Sequence, residues 1–282
     1  MPDDQMYAEK YRAWRLEQPF NLVGMRLIIV RSADQYPYPQ HGSVSPTTED
    51  GKNNMCLSQS VSFATGGLLV AGGTLAAFKA WKLNKRYLPI AMMPAMAGVQ
   101  QFFEGHVWMG LNQGDTGMAW WAATGFIFFS WFMWPVWIPF SVYALEPAGS
   151  KRKSILLLFA AAGLVLGLVL FIPHLQNPDW ISATIKSRSI SYEDTMFLDY
   201  LIPRPMTYAI YVVLIITPPL LSTYLHVRYF GLTLIAIVVL VYFFLSYAYI
   251  SFFCLLAGFG TLHLIYIILR NKCHRECPAL FS

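Results

Sequence analysis

Long apolar segments dominate this chain and leave it few ways to fold in water. A helix that crosses the hydrocarbon layer needs about 20 mostly apolar residues, and stretches of that length follow one another after residue 60. Only 12% of the 282 residues are charged, which is about half the share in soluble domains. We therefore predict an all-α, polytopic membrane protein. Its seven transmembrane helices are expected at residues 61–81, 88–111, 118–145, 154–173, 205–225, 229–245 and 247–269.

Basic residues predict the orientation, since Lys and Arg collect in short cytoplasmic loops. Clusters follow the first, third and seventh predicted spans, and Arg228 lies between the fifth and sixth, so all fall on one side if the spans alternate. We expect the N-terminus outside and the C-terminus in the cytoplasm. The clusters are Lys79, Lys82, Lys85 and Arg86; Lys151, Arg152 and Lys153; and Arg270, Lys272 and Arg275.

Two connections and the net charge complete this outline. The last two spans share one apolar run, so a tight turn is expected near Ser246–Tyr247. The long segment 174–204 is expected outside, either as a solvated connector or as a functional loop. The lipid bilayer is the predicted partner. The net charge of +5 does not predict nucleic-acid binding, because the basic residues of the apolar part lie at the ends of its segments.

The chain changes character at Met55. Residues 1–54 are mostly polar, contain six basic residues, which oppose a place outside, and show no uninterrupted apolar region of a signal peptide. Two interpretations stay open for this segment: a mis-called start, with Met55 as the natural first residue, or a poorly structured tail. Residues 55–282 are expected to form the membrane domain.

Glu104 is an acidic residue inside the second predicted span, and it defines the candidate site. A carboxylate at the centre of a membrane helix costs about 2.5–3.5 kcal/mol on insertion scales, and such residues usually face the protein interior and serve a function. Gln100, Gln101 and Trp108 lie at helical spacing from Glu104 and share one face with it. This polar face is consistent with hydrogen bonds between helices or with the handling of a ligand, ion or proton.

Small polar residues supply further candidates. Cys56, Ser58 and Ser62 lie at the start of the first span, where they either line the mouth of an outward-facing pocket or cap the helix. The stretch Pro218–Ser222 interrupts helical hydrogen bonding in the fifth span, which predicts either a packing kink or the wall of a polar cavity. No metal site is predicted, because His106 and His263 are expected at different depths and a zinc site needs three or four converging ligands.

Several short motifs follow one another from Met55 onward, and together they resemble a family of bacterial seven-helix membrane proteins, a domain of unknown function. The resemblance covers about 228 residues. It implies a seven-helix fold in the bacterial plasma (inner) membrane and a probable site, but no known activity. The family motifs are Met-Cys-Phe-Ser, matched by Met55, Cys56, Leu57 and Ser58; a Ser-Phe pair at Ser62 and Phe63; Gln-Gln-x-x-Glu-Gly-x-x-Trp, matched by Gln100, Gln101, Glu104, Gly105 and Trp108; Glu146; Pro219 to Ser222; Phe230 and Gly231; and Trp-Cys-Phe, which reads Phe253, Cys254 and Leu255 here.

These residues are expected to converge near the outer face. They predict an outward-facing polar pocket that binds a small molecule or ion for transport or sensing, with Glu104 at its centre. One alternative is an intramembrane enzyme, with Cys56 or Cys254 as nucleophile and Glu104 as acid or base. Another is a non-catalytic subunit of a membrane complex. The pocket candidates are Cys56, Ser58, Ser62, Gln100, Gln101, Glu104, Trp108, Ser222 and Cys254.

Overall fold

A computed structural model describes residues 58–186, 189–194, 197–244 and 249–269. Helices make up most of this part of the chain, and a single β-hairpin interrupts them. A π-helical segment, Phe128–Met133, joins the third helix to the fourth. The elements are α1 Gln59–Leu83, α2 Leu88–Gln113, α3 Thr116–Ile127, α4 Trp134–Leu145, α5 Lys151–Gln176, β1 Ile181–Lys186, β2 Ser189–Asp194, α6 Arg204–Leu221, α7 Leu225–Phe244, α8 Tyr249–Gly260 and α9 Leu262–Leu269.

Among the described residues, five helices are long and apolar enough to cross a membrane. Many of their large apolar side chains point away from the protein, Leu158 and Val213 among them. An apolar surface of this extent is typical of contact with lipid or another protein. The prediction of a mostly helical chain with several apolar helices long enough to cross a membrane is confirmed, whereas the polytopic arrangement, seven crossings and their orientation stay predictions. The five candidates are Gln59–Leu83, Thr116–Leu145, Lys151–Gln176, Arg204–Leu221 and Leu225–Phe243.

Helices α1 and α2 lie side by side because small residues face each other across them. A Cβ atom added at Gly98 would lie only 2.7 Å from the carbonyl oxygen of Gly66 and from two atoms of Val70. Such small-residue contacts let membrane helices approach closely and gain van der Waals packing. The contact holds α1 against the helix that carries Glu104.

The segment 174–204 contains structure that the sequence analysis did not predict. Strands β1 and β2 pair antiparallel, with Ala183 opposite Tyr192 and Ile185 opposite Ile190. The hairpin does not lie free in solvent, since Ile190 and Tyr192 are buried and the strands contact α2, α3 and α8. The hairpin therefore closes one end of the helix bundle.

Two predicted spans end or break earlier than expected. The fifth ends at Leu221 instead of residue 225, and the seventh is interrupted at Thr261, whose hydroxyl donates to the carbonyl oxygen of Gly258 at 2.6 Å. The two prolines lie in the last turn of α6, where Gly231 packs against Pro219. This contact agrees with the packing interpretation of the proline pair. The predicted turn at Ser246–Tyr247 lies outside the described residues.

Candidate functional site

A hydrogen-bond network centred on Gln100 joins four segments of the bundle. Its amide nitrogen donates to the hydroxyl of Ser130 at 2.9 Å and to the sulfur of Cys254 at 3.2 Å. Its amide oxygen accepts from the indole nitrogen of Trp134 at 2.8 Å. Gln100, Ser130 and Cys254 are all buried. Two sequence candidates, Gln100 and Cys254, are thus brought into contact, while Ser130 and Trp134 were not among the predicted site residues.

A second polar face of α2, formed by Gln101, Glu104 and Trp108, is also buried, but its hydrogen bonding differs from that of Gln100. Gln101, Glu104 and Trp108 are each 1% exposed. Among the described residues, neither the amide nitrogen nor the amide oxygen of Gln101 has a hydrogen-bond partner, and the indole nitrogen of Trp108 has none. Buried polar groups are nearly always satisfied in native proteins, so each exception calls for an explanation such as bound water, an ion or a ligand.

Tyr192 of β2 brings the hairpin to this face. Its ring stacks on Phe126, with centroids 4.5 Å apart and planes within 5°. Burial, followed by the nearby Glu104 carboxylate, raises the pKa of the Tyr192 phenol well above its ordinary value. The phenol therefore stays protonated, and its hydroxyl also lacks a partner among the residues that the structure describes. We call Gln101, Glu104, Trp108 and Tyr192 the Glu104 cluster.

The start of α1 lies beside the Glu104 turn of α2. The ring of Phe63 contacts His106 edge-on, with centroids 5.1 Å apart, and fills the space above Gly105. Ser62 is buried in this part of α1. Ser58 caps the helix by accepting from the backbone nitrogen of Val61 at 3.4 Å, which agrees with the capping interpretation. Cys56 lies outside the described residues.

Ser222 lies at the other end of the bundle, beside Glu146. The carboxylate of Glu146 accepts from the backbone nitrogen of Thr223 at 3.1 Å, from the hydroxyl of Thr223, and from Ser150 at 3.0 Å. The hydroxyl of Ser222 accepts from the backbone nitrogen of Tyr224 at 3.2 Å. The structure thus separates Ser222 from the Glu104 cluster and gives it a turn-forming role.

A cavity of about 340 Å³ opens beside the Gln100 network. Ser130 and Cys254 form part of its wall, and both already contact Gln100. The sequence analysis did not predict this cavity, although a serine inside the apolar segment 118–145 was a usable signal. The lining residues are Ser130, Trp131, Tyr208, Tyr211, Val212, Val238, Val241, Tyr242, Phe253 and Cys254.

The histidines of the predicted spans do not build a metal centre. His106 is exposed and bonds through Nδ1 to the carbonyl oxygen of Phe102 at 2.7 Å. His263 lies near the carbonyl oxygens of Gly260 and His226. Within the described ranges, no three His, Cys, Asp or Glu side chains are grouped to hold a metal ion.

The fold and the site define the class of protein: a mostly helical protein with several apolar helices and a buried polar interior closed by a hairpin. The chain belongs to the family described as "Family of unknown function (DUF6629)", whose model matches residues 55–279. This match confirms the resemblance inferred from the motifs. Comparisons with curated proteins and with solved structures gave no match.

Proposed function

We propose that this chain is a binding protein of the bacterial plasma (inner) membrane, with seven crossings and its N-terminus outside. We further propose that the Glu104 cluster binds a small polar molecule or ion, for transport or for sensing. The observation that carries this proposal is the Gln101 side chain, which is buried with both amide atoms lacking a partner among the described residues.

Seven crossings require two membrane-spanning segments in addition to the five candidate helices. Helix α2 has 26 residues, so its length of about 39 Å exceeds the roughly 30 Å of a hydrocarbon layer. Its polar residues lower its hydropathy, and those residues include the proposed site. Helices α8 and α9 together cover residues 249–269, which is enough for one further crossing despite the break at Thr261.

The energetics favour an occupant for the cluster. An amide or hydroxyl that is buried without a hydrogen bond costs about 1–3 kcal/mol in proteins. Gln101 and Trp108 together present two donor nitrogen atoms and one acceptor oxygen without partners among the described residues, and Tyr192 adds a protonated hydroxyl. A molecule with both donor and acceptor atoms would satisfy these groups, and Glu104 would add the charged contact.

The hairpin supports an outward-facing entrance. With the proposed orientation, the segment 174–204 is on the outside, and its Tyr192 reaches the cluster. The indole nitrogen of Trp120, near the start of α3, donates to the carbonyl oxygen of Pro178 at 3.0 Å. This hydrogen bond attaches the chain just before the hairpin to the end of the bundle that the hairpin closes. A ligand from the outside would reach Glu104 past the hairpin.

A thermal-shift screen tests this function. The purified protein in mild detergent is heated with single amino acids, nucleosides, sugars, carboxylic acids, amines and inorganic cations. A ligand at about a hundred times its Kd adds about 2.7 kcal/mol to the free energy of unfolding, which raises Tm by several degrees. We expect Glu104→Gln and Gln101→Leu to abolish that shift.

The control is Val99→Ala, on the opposite face of α2, where the side chain is exposed. This variant should keep the full shift, because its side chain faces away from the cluster. A shift of equal size in Glu104→Gln and Val99→Ala, or no shift with any compound class, would contradict the proposal.

A second candidate function is an intramembrane enzyme, which the cavity at Cys254 favours. The sulfur of Cys254 lies 3.2 Å from the amide nitrogen of Gln100 and 3.6 Å from the hydroxyl of Ser130, and it faces the cavity. A nucleophilic thiol must be reactive as well as reachable. N-ethylmaleimide should then label Cys254 rapidly, and labelling as slow as that of an ordinary buried thiol would rule against the enzyme.

A further inference from the structure

The cavity beside Ser130 and Cys254 is lined by none of the residues of the Glu104 cluster. It lies between α6, α7 and α8, and the π-helical segment supplies its inner wall through Ser130 and Trp131. π-helical turns are rare and often occur at functional sites. A volume of about 340 Å³ is within the range of ligand-binding cavities, about 300–1,000 Å³.

The cavity wall is almost entirely apolar, and its few polar atoms belong to bonded groups at one end, which we call the polar end. Behind the wall, Gln100 donates to both Ser130 and Cys254 and holds them in place. The hydroxyl of Tyr211 donates to the carbonyl oxygen of Ser130 at 2.7 Å, which leaves the phenol oxygen free to accept a hydrogen bond. The hydroxyl of Ser130 donates to the carbonyl oxygen of Phe126 at 3.1 Å and accepts from Gln100, so the polar end offers the phenol oxygen of Tyr211 as its acceptor.

The rest of the cavity is apolar and leads away from the polar end. Its lining contains valines and aromatic rings, and Trp131 and Tyr208 stack with centroids 6.0 Å apart and planes within 6°. Tyr242, at 62% exposed, forms part of its rim, next to Phe243 on the apolar surface of α7. An occupant would therefore enter sideways from the lipid.

None of the ten lining residues is charged. An ionised fatty acid or a phosphate head group would lose its hydration here without gaining a charged partner, which is costly in an apolar site. A single hydroxyl group fits the polar end, because it donates to the phenol oxygen of Tyr211, whose own proton is bonded to the carbonyl oxygen of Ser130.

We propose that this cavity binds a neutral lipophilic molecule with one hydroxyl head, a long-chain alcohol or phenol, whose apolar body points to the bilayer. The site does not use Glu104. It therefore stands or fails independently of the proposed polar ligand.

Photo-crosslinking tests this inference on the full chain in lipid nanodiscs. The probe is a long-chain alcohol with a diazirine in its chain, and the comparison probe is the fatty acid of the same length. We expect the alcohol to label peptides of α6, α7, α8 or the π-helical segment, and excess unlabelled alcohol to compete. The fatty acid should label at least about tenfold less, which corresponds to about 1.4 kcal/mol.

Matched pairs of variants separate the cavity from general lipid contact. Val238→Trp fills the cavity, whereas Val239→Trp places the same ring on the exposed neighbour. Labelling should fall at least about tenfold in the first and stay unchanged in the second. If Val238→Trp does not fold, Val212→Trp and its exposed neighbour Val213→Trp repeat the comparison. Equal labelling within a pair, or equal labelling by the acid and the alcohol, would overturn the inference.

Discussion

At the residue scale, two adjacent glutamines have opposite environments. Gln100 bonds to Ser130, Cys254 and Trp134, whereas Gln101 has no partner among the described residues. Successive residues of an α-helix point about 100° apart, so neighbours face different parts of the bundle. The same side chain is hydrogen-bonded at one position and lacks a partner among the described residues at the next.

The Gln100 network makes a direct prediction about stability. Gln100→Leu leaves the indole nitrogen of Trp134 buried without its acceptor, which should lower the free energy of unfolding by about 1–2 kcal/mol. Tm should then fall by roughly 2–8 °C, measured by thermal unfolding in detergent. Val99→Ala, at an exposed position of the same helix, should change stability by less than about 0.5 kcal/mol. Equal losses in the two variants would contradict a structural role for the network.

Variants of Tyr192 distinguish its contribution to packing from its proposed contribution to ligand binding. Tyr192→Phe keeps the ring stacked on Phe126 and removes a hydroxyl without a partner among the described residues, so stability should change by less than about 0.5 kcal/mol. Tyr192→Ala removes the ring and should cost about 3–5 kcal/mol. Tyr192→Phe should nevertheless weaken any ligand-induced thermal shift. A full thermal shift in Tyr192→Phe would show that the Tyr192 hydroxyl does not take part in ligand binding.

At the scale of elements, close contacts decide how the helices pack. Helices α1 and α2 touch through Gly66 and Gly98, and the end of α4 is bonded to the corner between α6 and α7 through Glu146 and Thr223. The first contact depends on the lack of a side chain. The second depends on a buried carboxylate that satisfies backbone and side-chain donors.

A pair of glycine variants tests the α1–α2 contact. Gly98→Ala places a Cβ 2.7 Å from the backbone of α1, so the helices must separate. Overpacking of this kind costs about 1–3 kcal/mol. Gly67→Ala, where a Cβ would meet no atom within 4 Å, should be neutral or stabilise by up to about 1 kcal/mol. Thermal unfolding of both variants measures the difference, and similar values would contradict the close contact.

Only a conservative substitution of Glu146 should preserve its contacts with Thr223 and Ser150. Glu146→Ala leaves the donors of Thr223 and Ser150 without their acceptor, and the free energy of unfolding should fall by about 1.5–3 kcal/mol. Glu146→Gln keeps one acceptor oxygen and should lose less. Urea or heat unfolding monitored by tryptophan fluorescence ranks the variants. A loss as large in Gln as in Ala would show that the charge itself is required.

At the scale of the whole molecule, the proposed orientation is open to direct measurement. Cysteines are introduced at Gln113, the last residue of α2, and at Gly149, between α4 and α5, in a chain whose Cys56, Cys273 and Cys277 are replaced by Ser. A membrane-impermeant maleimide should label Gln113→Cys in intact spheroplasts and Gly149→Cys only after lysis, because loops on alternate sides of a span face opposite compartments. The reverse pattern would invert the orientation, and with it the outward-facing entrance.

Much of the fold could be predicted because apolar length and membrane thickness determine where helices form. The predicted ranges 61–81 and 88–111 lie within α1 and α2, and the range 154–173 lies within α5. The hairpin was missed even though Ser189–Asp194 alternates polar and apolar residues at its start, the spacing of a strand. Short strands surrounded by a long connection give a weak local signal, because their partner is known only after pairing.

The candidate site, like the fold, could be predicted from the sequence only in part. The spacing of Gln100, Gln101, Glu104 and Trp108 was enough to predict a buried polar face, since helical periodicity and the cost of burying charge act locally. Which glutamine is bonded, the approach of Tyr192 and Cys254, and the cavity beside Ser130 came only from the tertiary structure. These features depend on side chains from elements far apart in the sequence, and only the packing of the helices and the hairpin brings such side chains together.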